Sequence, residues 1–93
     1  MLLNPMLKKG GIQMMESFVL IKVGTGEQLN FSKTAKEEIA RIKGVVKVYG
    51  VFGRYDLIAH VKAHDLDTLS RIIMDKIRSI AGVLNTESLI IGY

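Results

Sequence analysis

One pattern occurs twice in this sequence, as Ile39-Ala40-Arg41-Ile42-Lys43-Gly44-Val45 and, 38 residues later, as Ile77-Arg78-Ser79-Ile80-Ala81-Gly82-Val83. In both copies the last turn of an apolar helix is followed by a glycine and then by a β-branched residue. A glycine at this position typically ends a helix in a left-handed conformation, and the β-branched residue favours the start of a strand. The repeat therefore predicts two successive strand–helix–strand units.

The segments around the repeat complete the predicted order of elements. The run Phe18-Val19-Leu20-Ile21 predicts the first strand, and Thr34-Ala35-Lys36-Glu37 has the form of a capping box, so the first helix begins at or before Thr34. Further strands are predicted over residues 45–52, 55–62 and 84–91. Asp65 is a suitable N-cap for a second helix, whose apolar stripe is Leu66, Leu69, Ile73, Ile77 and Ile80.

The resulting order, βαββαβ, predicts an α+β fold of the ferredoxin-like sandwich type. Right-handed crossovers place the first and third strands in the centre of an antiparallel sheet, with both helices on one face. The central strands, however, are apolar on both faces, as in Leu57-Ile58-Ala59. An uncovered apolar sheet face is larger than the exposed apolar patches that monomeric proteins usually tolerate, so we expect a dimer through the open sheet face.

Length and composition restrict the class of protein. The chain has 93 residues, 48% of them hydrophobic, which is enough for one domain. It contains no cysteine, which excludes disulfides, cysteine zinc sites and a thiol nucleophile. The net charge is +4, and the basic residues are spread along the chain with acidic residues between them, which indicates a solvated surface. A contiguous phosphate-binding stripe is the alternative.

The beginning of the chain differs from the rest. Residues 1–16 combine Pro5, a glycine pair and four methionines without a period, so they are predicted to be a poorly ordered lead-in, with residues 17–93 forming the domain. Met14 or Met15 is an alternative start. Neither a secretion signal nor an apolar run long enough to cross a membrane is recognisable, so we expect a cytoplasmic protein without a membrane partner.

Few residues suggest catalysis or metal binding. His60 and His64 straddle the predicted end of a strand, where their spacing is unsuited to a metal site, and an outward-facing histidine plus a loop histidine explains them. Gly24-Thr25-Gly26 lacks the lysine and further glycines of a phosphate loop. No nucleophile lies beside a base. We therefore expect no metal, no cofactor and no enzymatic activity.

Two short segments form the most informative constellation. Gly53 and the neighbouring Arg54 lie in a hairpin whose glycines allow a close approach to backbone N–H groups, and Asp56 offers an acceptor for an ammonium group. Thr86 and Ser88 point to the same face of the last strand. A zwitterion is able to use all of these groups; the simpler alternative is a tight hairpin with a solvated aspartate and two edge-strand hydroxyls.

At these residues the sequence resembles a known family. Arg41-Ile42-x-Gly44-Val45, Gly53-Arg54-Tyr55-Asp56-Leu57 and Thr86-x-Ser88-Leu89 are similar to motifs of the effector-binding (RAM) domain of Lrp/AsnC transcription regulators, over residues 17–93. The resemblance implies an amino-acid sensor that dimerises through its open sheet faces and assembles into octamers or similar rings. It also implies that an amino-acid effector binds between dimers, at Gly53, Arg54, Asp56, Thr86 and Ser88.

One departure from the family concerns DNA. Full-length members carry an N-terminal helix-turn-helix domain, which the lead-in is too short to supply, so we expect no direct specific DNA binding. The resemblance is then to stand-alone members, which bind amino acids alone or co-assemble with full-length regulators. Two alternatives are an ACT-like amino-acid-binding module, with its site around residues 24–27, and a dimeric α+β barrel enzyme.

Overall fold

The computed structural model describes residues 14–24 and 31–92. In these residues the elements are β1 (Met15–Val23), α1 (Phe31–Ala40), β2 (Val45–Gly50), β3 (Leu57–Ala63), α2 (Leu66–Arg71), a π-helical continuation of α2 (Ile72–Ile77) and β4 (Val83–Ile90). The strands form one antiparallel sheet in the order β2-β3-β1-β4. The predicted ferredoxin-like order, with the first and third strands in the centre, is confirmed.

The first strand and the first helix begin slightly earlier than predicted. β1 begins at Met15, ahead of the predicted Ser17, while residues 1–13 of the predicted lead-in lie outside the described residues. α1 begins at Phe31, so Thr34 lies within its first turn and is not the N-cap. Phe31 packs against the hydrophobic core, and this tertiary contact extends the helix towards its N-terminus.

The second helix changes its winding midway. Asp65 caps α2 as predicted, since its Oδ1 accepts a hydrogen bond of 2.7 Å from the Thr68 N–H. Beyond Arg71 the helix is π-helical, with the Arg78 N–H donating to the Ile73 carbonyl at 3.1 Å. Such a turn holds more residues than an α-helical turn. Ile72 therefore joins the core, whereas Leu66, included in the predicted stripe, is 51% exposed.

The core lies between the helices and one face of the sheet. Alternate residues of the two central strands are buried there, together with Ala35 and Ile39 of α1 and with Leu69, Ile73 and Ile77 of the second helix. Burying one such large aliphatic side chain contributes about 1.5–3 kcal/mol. The buried Ser17 hydroxyl is satisfied, because it donates to the Leu89 carbonyl at 3.2 Å.

The opposite face of the sheet is covered by no helix in the described part of the chain. The residues between the buried positions of the central strands point to this open face and include Phe18, Leu20 and Ile58. His60 lies there too, with its Nε2 2.7 Å from Glu16 Oε1 and its ring stacked on Phe18 at 4.9 Å. The central strands are thus apolar on both faces in their middle, whereas polar or charged residues occupy the ends of the open face.

None of the helices within residues 14–24 and 31–92 has the length and apolar composition needed to cross a membrane.

Candidate functional site

Asp56 is held in place at the junction of β1 and β3. Its backbone N–H donates to the Ile21 carbonyl at 2.9 Å, and its side-chain Oδ2 accepts a hydrogen bond of 2.8 Å from the Val23 N–H. The Lys22 ammonium group lies 3.6 Å from the same oxygen. The side chain remains 29% exposed. The backbone of β1 thus orients a carboxylate that solvent and ligands still reach.

The loop that precedes Asp56 exposes its backbone. The loop is closed by the Val51 N–H, which donates to the Asp56 carbonyl at 2.9 Å. Gly53 has a φ of +141°, a conformation that side chains disfavour, and no other part of the described chain lies within 4 Å of its missing Cβ position. Arg54 beside it is exposed. The chain at Gly53 and Arg54 is therefore exposed.

Thr86 and Ser88 lie on the edge strand β4. They pair with Ile21 and Val19, both buried beneath the helices, so the two hydroxyl side chains point to the helix side of the sheet. The structure therefore places Thr86 and Ser88 on one face, as the alternation of the strand predicted. Ser88 is exposed, and Thr86 is half-buried.

The structure does not bring these two groups of residues together within one chain. Asp56 precedes β3, whereas Thr86 and Ser88 belong to β4, and β1 lies between these strands. Two strand spacings amount to about 9–10 Å. A ligand of amino-acid size, with one hydrogen bond at each end, spans a similar distance.

A hydrogen bond that the sequence did not indicate connects the two segments. The Tyr55 hydroxyl donates to Glu87 Oε1 at 2.6 Å and so links the loop before β3 to β4. This hydrogen bond raises the pKa of the Tyr55 phenol above its usual value of 10.0, with smaller contributions from desolvation and from the charge of Glu87. Glu87 pairs with Leu20 and thus belongs to the open face. Both residues adjoin predicted site residues, but their pairing depends on the strand order.

A cavity beside Asp56 adds residues that the sequence analysis did not assign to a site. It has a volume of about 420 Å³, and its lining includes Asp56, Leu57 and Phe52 together with Ser32, Lys33 and Lys36 of α1. The sequence feature that indicates this pair is the i,i+3 spacing of Lys33 and Lys36, which places both on the same side of a helix. The cavity therefore offers an anionic group and two cationic groups to one small ligand.

Two further candidate sites of the sequence analysis involve the histidines and the glycine segment after β1. Among residues 14–24 and 31–92, no group of three or more histidine, aspartate or glutamate side chains converges to hold a metal ion. His60 instead pairs with Glu16 on the open face. Of the Gly24-Thr25-Gly26 segment, only Gly24 is among the described residues, and its N–H donates to the Gly82 carbonyl at 2.8 Å.

Comparison with known proteins identifies relatives of this arrangement. The family model of the Lrp/AsnC ligand binding domain matches residues 16–91. An uncharacterized HTH-type transcriptional regulator from Pyrococcus horikoshii is 38% identical over 74 residues, which cover 80% of this chain and 49% of the relative. The chain thus spans about half the length of such curated relatives.

Solved structures share the fold. A crystal structure of a protein from Thermus thermophilus is 34% identical, has a TM-score of 0.75, and is matched over 85% of this chain and 94% of its own. A feast or famine regulatory protein from M. tuberculosis, complexed with L-methionine, has a TM-score of 0.70 at 23% identity, over 98% of this chain and 56% of its own. Because the family model covers most of the chain, the protein belongs to the Lrp/AsnC ligand-binding domain family.

Proposed function

We propose that the protein is a non-enzymatic sensor module that binds a free amino acid between dimers of a homo-oligomer. The effector's ammonium group is held by Asp56, and its carboxylate by Thr86, Ser88 and the backbone N–H groups near Gly53 and Arg54. Membership of a ligand-binding family supports the sensor role, and the methionine complex of the M. tuberculosis protein supports the chemical class.

The fixed carboxylate of Asp56 is the observation that carries the proposal. A hydrogen bond from the Val23 N–H orients it before any ligand arrives, and its exposure leaves room for an ammonium group. Each charge-assisted hydrogen bond contributes about 1.5–3 kcal/mol, so three or four of them, less the loss of ligand freedom, give micromolar to millimolar affinity.

The position of the site residues near a sheet edge supports a location between subunits. Asp56 and the hydroxyl residues Thr86 and Ser88 of the same chain lie two strands apart, and β4 is an edge strand of the sheet in the described chain. Two chains that meet at this end of the sheet allow the ammonium group to bind to one chain and the carboxylate to the other. The effector then stabilises the contact between dimers.

The dimer itself forms through the open sheet face. Phe18, Leu20 and Ile58 form its apolar centre, and no helix in the described residues covers them. Apolar patches of this kind usually mark protein interfaces. Leu20→Lys is expected to give monomers in light scattering, whereas Leu66→Lys, at an exposed leucine on the helix side, leaves the dimer intact. Dimers in both variants would contradict this interface.

Regulation is proposed to occur without direct specific binding to DNA. The solved Thermus chain is matched over 94% of its length, which supports a module of this size as a working unit. The curated relatives are about twice as long and are HTH-type regulators, so co-assembly with such a regulator is the proposed route to transcription. Sequence-selective gel shifts by the purified chain at near-physiological salt would contradict this part.

The effector site is tested by a thermal-shift screen of the twenty amino acids, followed by calorimetry. At a concentration of about 100 times Kd, an effector stabilises the folded protein by about 2.7 kcal/mol per site. Asp56→Asn keeps the shape of the side chain but removes its charge, and is expected to weaken binding about tenfold or more. Asp75→Asn, at an exposed acid of the second helix, is the matched control.

The hydroxyl half of the site is tested in the same assay. The double variant Thr86→Ala, Ser88→Ala is expected to weaken binding, while Ser70→Ala on the exposed side of α2 leaves it unchanged. Unchanged affinity in both Asp56→Asn and the double variant would place the site elsewhere. Loss of binding in Asp56→Asn alone would instead favour the cavity that Asp56 shares with Lys33 and Lys36.

A further inference from the structure

A second cavity lies at the other end of β3, away from Asp56. Its volume is about 620 Å³, within the range of small-molecule sites. Ala63 and His64, at the end of β3, line one side, and Thr68, Arg71 and Ile72 of the second helix line another. The cavity shares no lining residue with the cavity beside Asp56.

Cationic side chains dominate the polar part of this cavity. Lys43, Lys62, Arg71 and Lys76 all line it, His64 adds an imidazole, and no aspartate or glutamate is among the described residues that line it. The three lysine charges around this cavity repel each other and attract an anion. An amino acid fits poorly there, because the lining has no carboxylate to receive its ammonium group.

Two acids at the start of the second helix are engaged by other partners. Asp65 accepts the Thr68 N–H at the start of α2, and Asp67 pairs with Arg71 at 2.8 Å. Within residues 14–24 and 31–92, no ion pair involves Lys43, Lys62 or Lys76. These ammonium groups are therefore available to a ligand.

The inner wall of the cavity is apolar. This wall combines Met14, which is 41% exposed, with the core residues Ala63 and Ile72, which are only 3% and 8% exposed, so most of its accessible surface belongs to Met14. A small inorganic anion contacts the lysines but leaves this wall in water. A ligand with an apolar or aromatic body and a multiply charged anionic group contacts both.

We propose that this cavity binds an organic phosphate of about mononucleotide size, with two or more negative charges. The lysine ammonium groups act as point charges for the phosphates, while the Arg71 guanidinium and the apolar wall contact the organic body. The site is independent of the proposed amino-acid site and adds a second, anionic class of ligand to the protein.

Calorimetric titration with ATP, ADP, adenosine and inorganic tripolyphosphate tests the proposal. We expect ATP and ADP to bind with a Kd below about 1 mM, and adenosine at least about tenfold more weakly because it lacks the charges. Tripolyphosphate is also expected to bind more weakly than ATP, since it leaves the apolar wall uncovered. Tripolyphosphate as tight as ATP, or ATP no tighter than adenosine, would overturn the proposal.

Charge-matched variants distinguish binding in this cavity from attraction by the net positive charge of the protein. Lys43→Gln with Lys76→Gln is expected to weaken ATP binding at least about tenfold. Arg41→Gln with Arg78→Gln removes the same charge outside the cavity and is expected to change it less than about twofold. Equal losses in the two double variants would overturn the assignment. Circular dichroism and melting curves establish that both variants are folded.

Discussion

Gly44 is the position at which one methyl group is expected to destabilise the fold most directly. Its φ is +102°, and a Cβ atom added there lies 2.5 Å from Cδ1 of Ile72 and 3.2 Å from the carbonyl oxygen of Lys62. The backbone has little freedom to move away, because the Gly44 carbonyl accepts a hydrogen bond of 2.8 Å from the Lys62 N–H. Gly44→Ala therefore introduces both backbone strain and a steric clash.

The expected magnitude follows from these two effects. A side chain in a left-handed conformation raises the free energy of the folded state by about 1–2 kcal/mol per residue. Displacing Ile72 from a packed core adds about 1–3 kcal/mol, as in other overpacked cores. The free energy of unfolding is thus expected to fall by about 2–5 kcal/mol. For a domain of this size, with an m-value of about 1–2 kcal/mol/M, the urea midpoint falls by at least about 1 M.

Urea unfolding followed by circular dichroism, at one fixed protein concentration, measures this effect. Gly50→Ala is the matched control, because φ at Gly50 is not positive and no other part of the described chain lies within 4 Å of an added Cβ. We expect its midpoint to stay close to that of the wild type. If Gly44→Ala and Gly50→Ala shift the midpoint equally, the proposed role of the Gly44 conformation is refuted.

Three further predictions concern the core, the helix cap and the open face. Ile77 is fully buried, so Ile77→Ala is expected to lower the free energy of unfolding by about 2–5 kcal/mol and Ile77→Val by about 0.5–1.5 kcal/mol. Equal losses in the two variants, measured by urea unfolding, would contradict the place of Ile77 in the core. The Thr68 N–H lowers the pKa of Asp65 below 3.8, so the stabilisation by this carboxylate is present above that pH and is lost as the pH falls through the folded pKa. The destabilisation caused by Asp65→Ala should therefore be smaller at pH 2 than at pH 7 in urea unfolding, and a pH-independent difference would contradict this. The hydrogen bond to Glu87 raises the pKa of the Tyr55 phenol, so Glu87→Gln should lower the pH at which one tyrosine ionises in an ultraviolet titration. The same substitution in a Tyr55→Phe background should leave the tyrosine titration unchanged.

The local sequence determined the order of the elements and several of the turns and caps between them. Gly44 and Gly82, paired in the repeat, both have positive φ values, +102° and +94°, but each lies in a turn directly before a strand, since α1 ends at Ala40 and the second helix at Ile77. The alternation of side chains along a strand placed Thr86 and Ser88 on one face, but β1 and β3 are apolar on both faces in their middle, so the packing of the helices decided which of their faces is buried. Asp65 was identifiable as a cap, since its partner Thr68 is only three residues away.

Tertiary structure alone decided the contacts between distant segments. The hydrogen bond between Tyr55 and Glu87 and the approach of Lys33 and Lys36 to Asp56 depend on how the strands and α1 pack together. The same strand order separates Asp56 from Thr86 by the width of β1, so residues that the motifs grouped as one site lie two strands apart. Sequence periodicity indicates which side chains of one strand share a face. The distance between side chains of different strands depends on strand order and register, which arise only when the whole core packs.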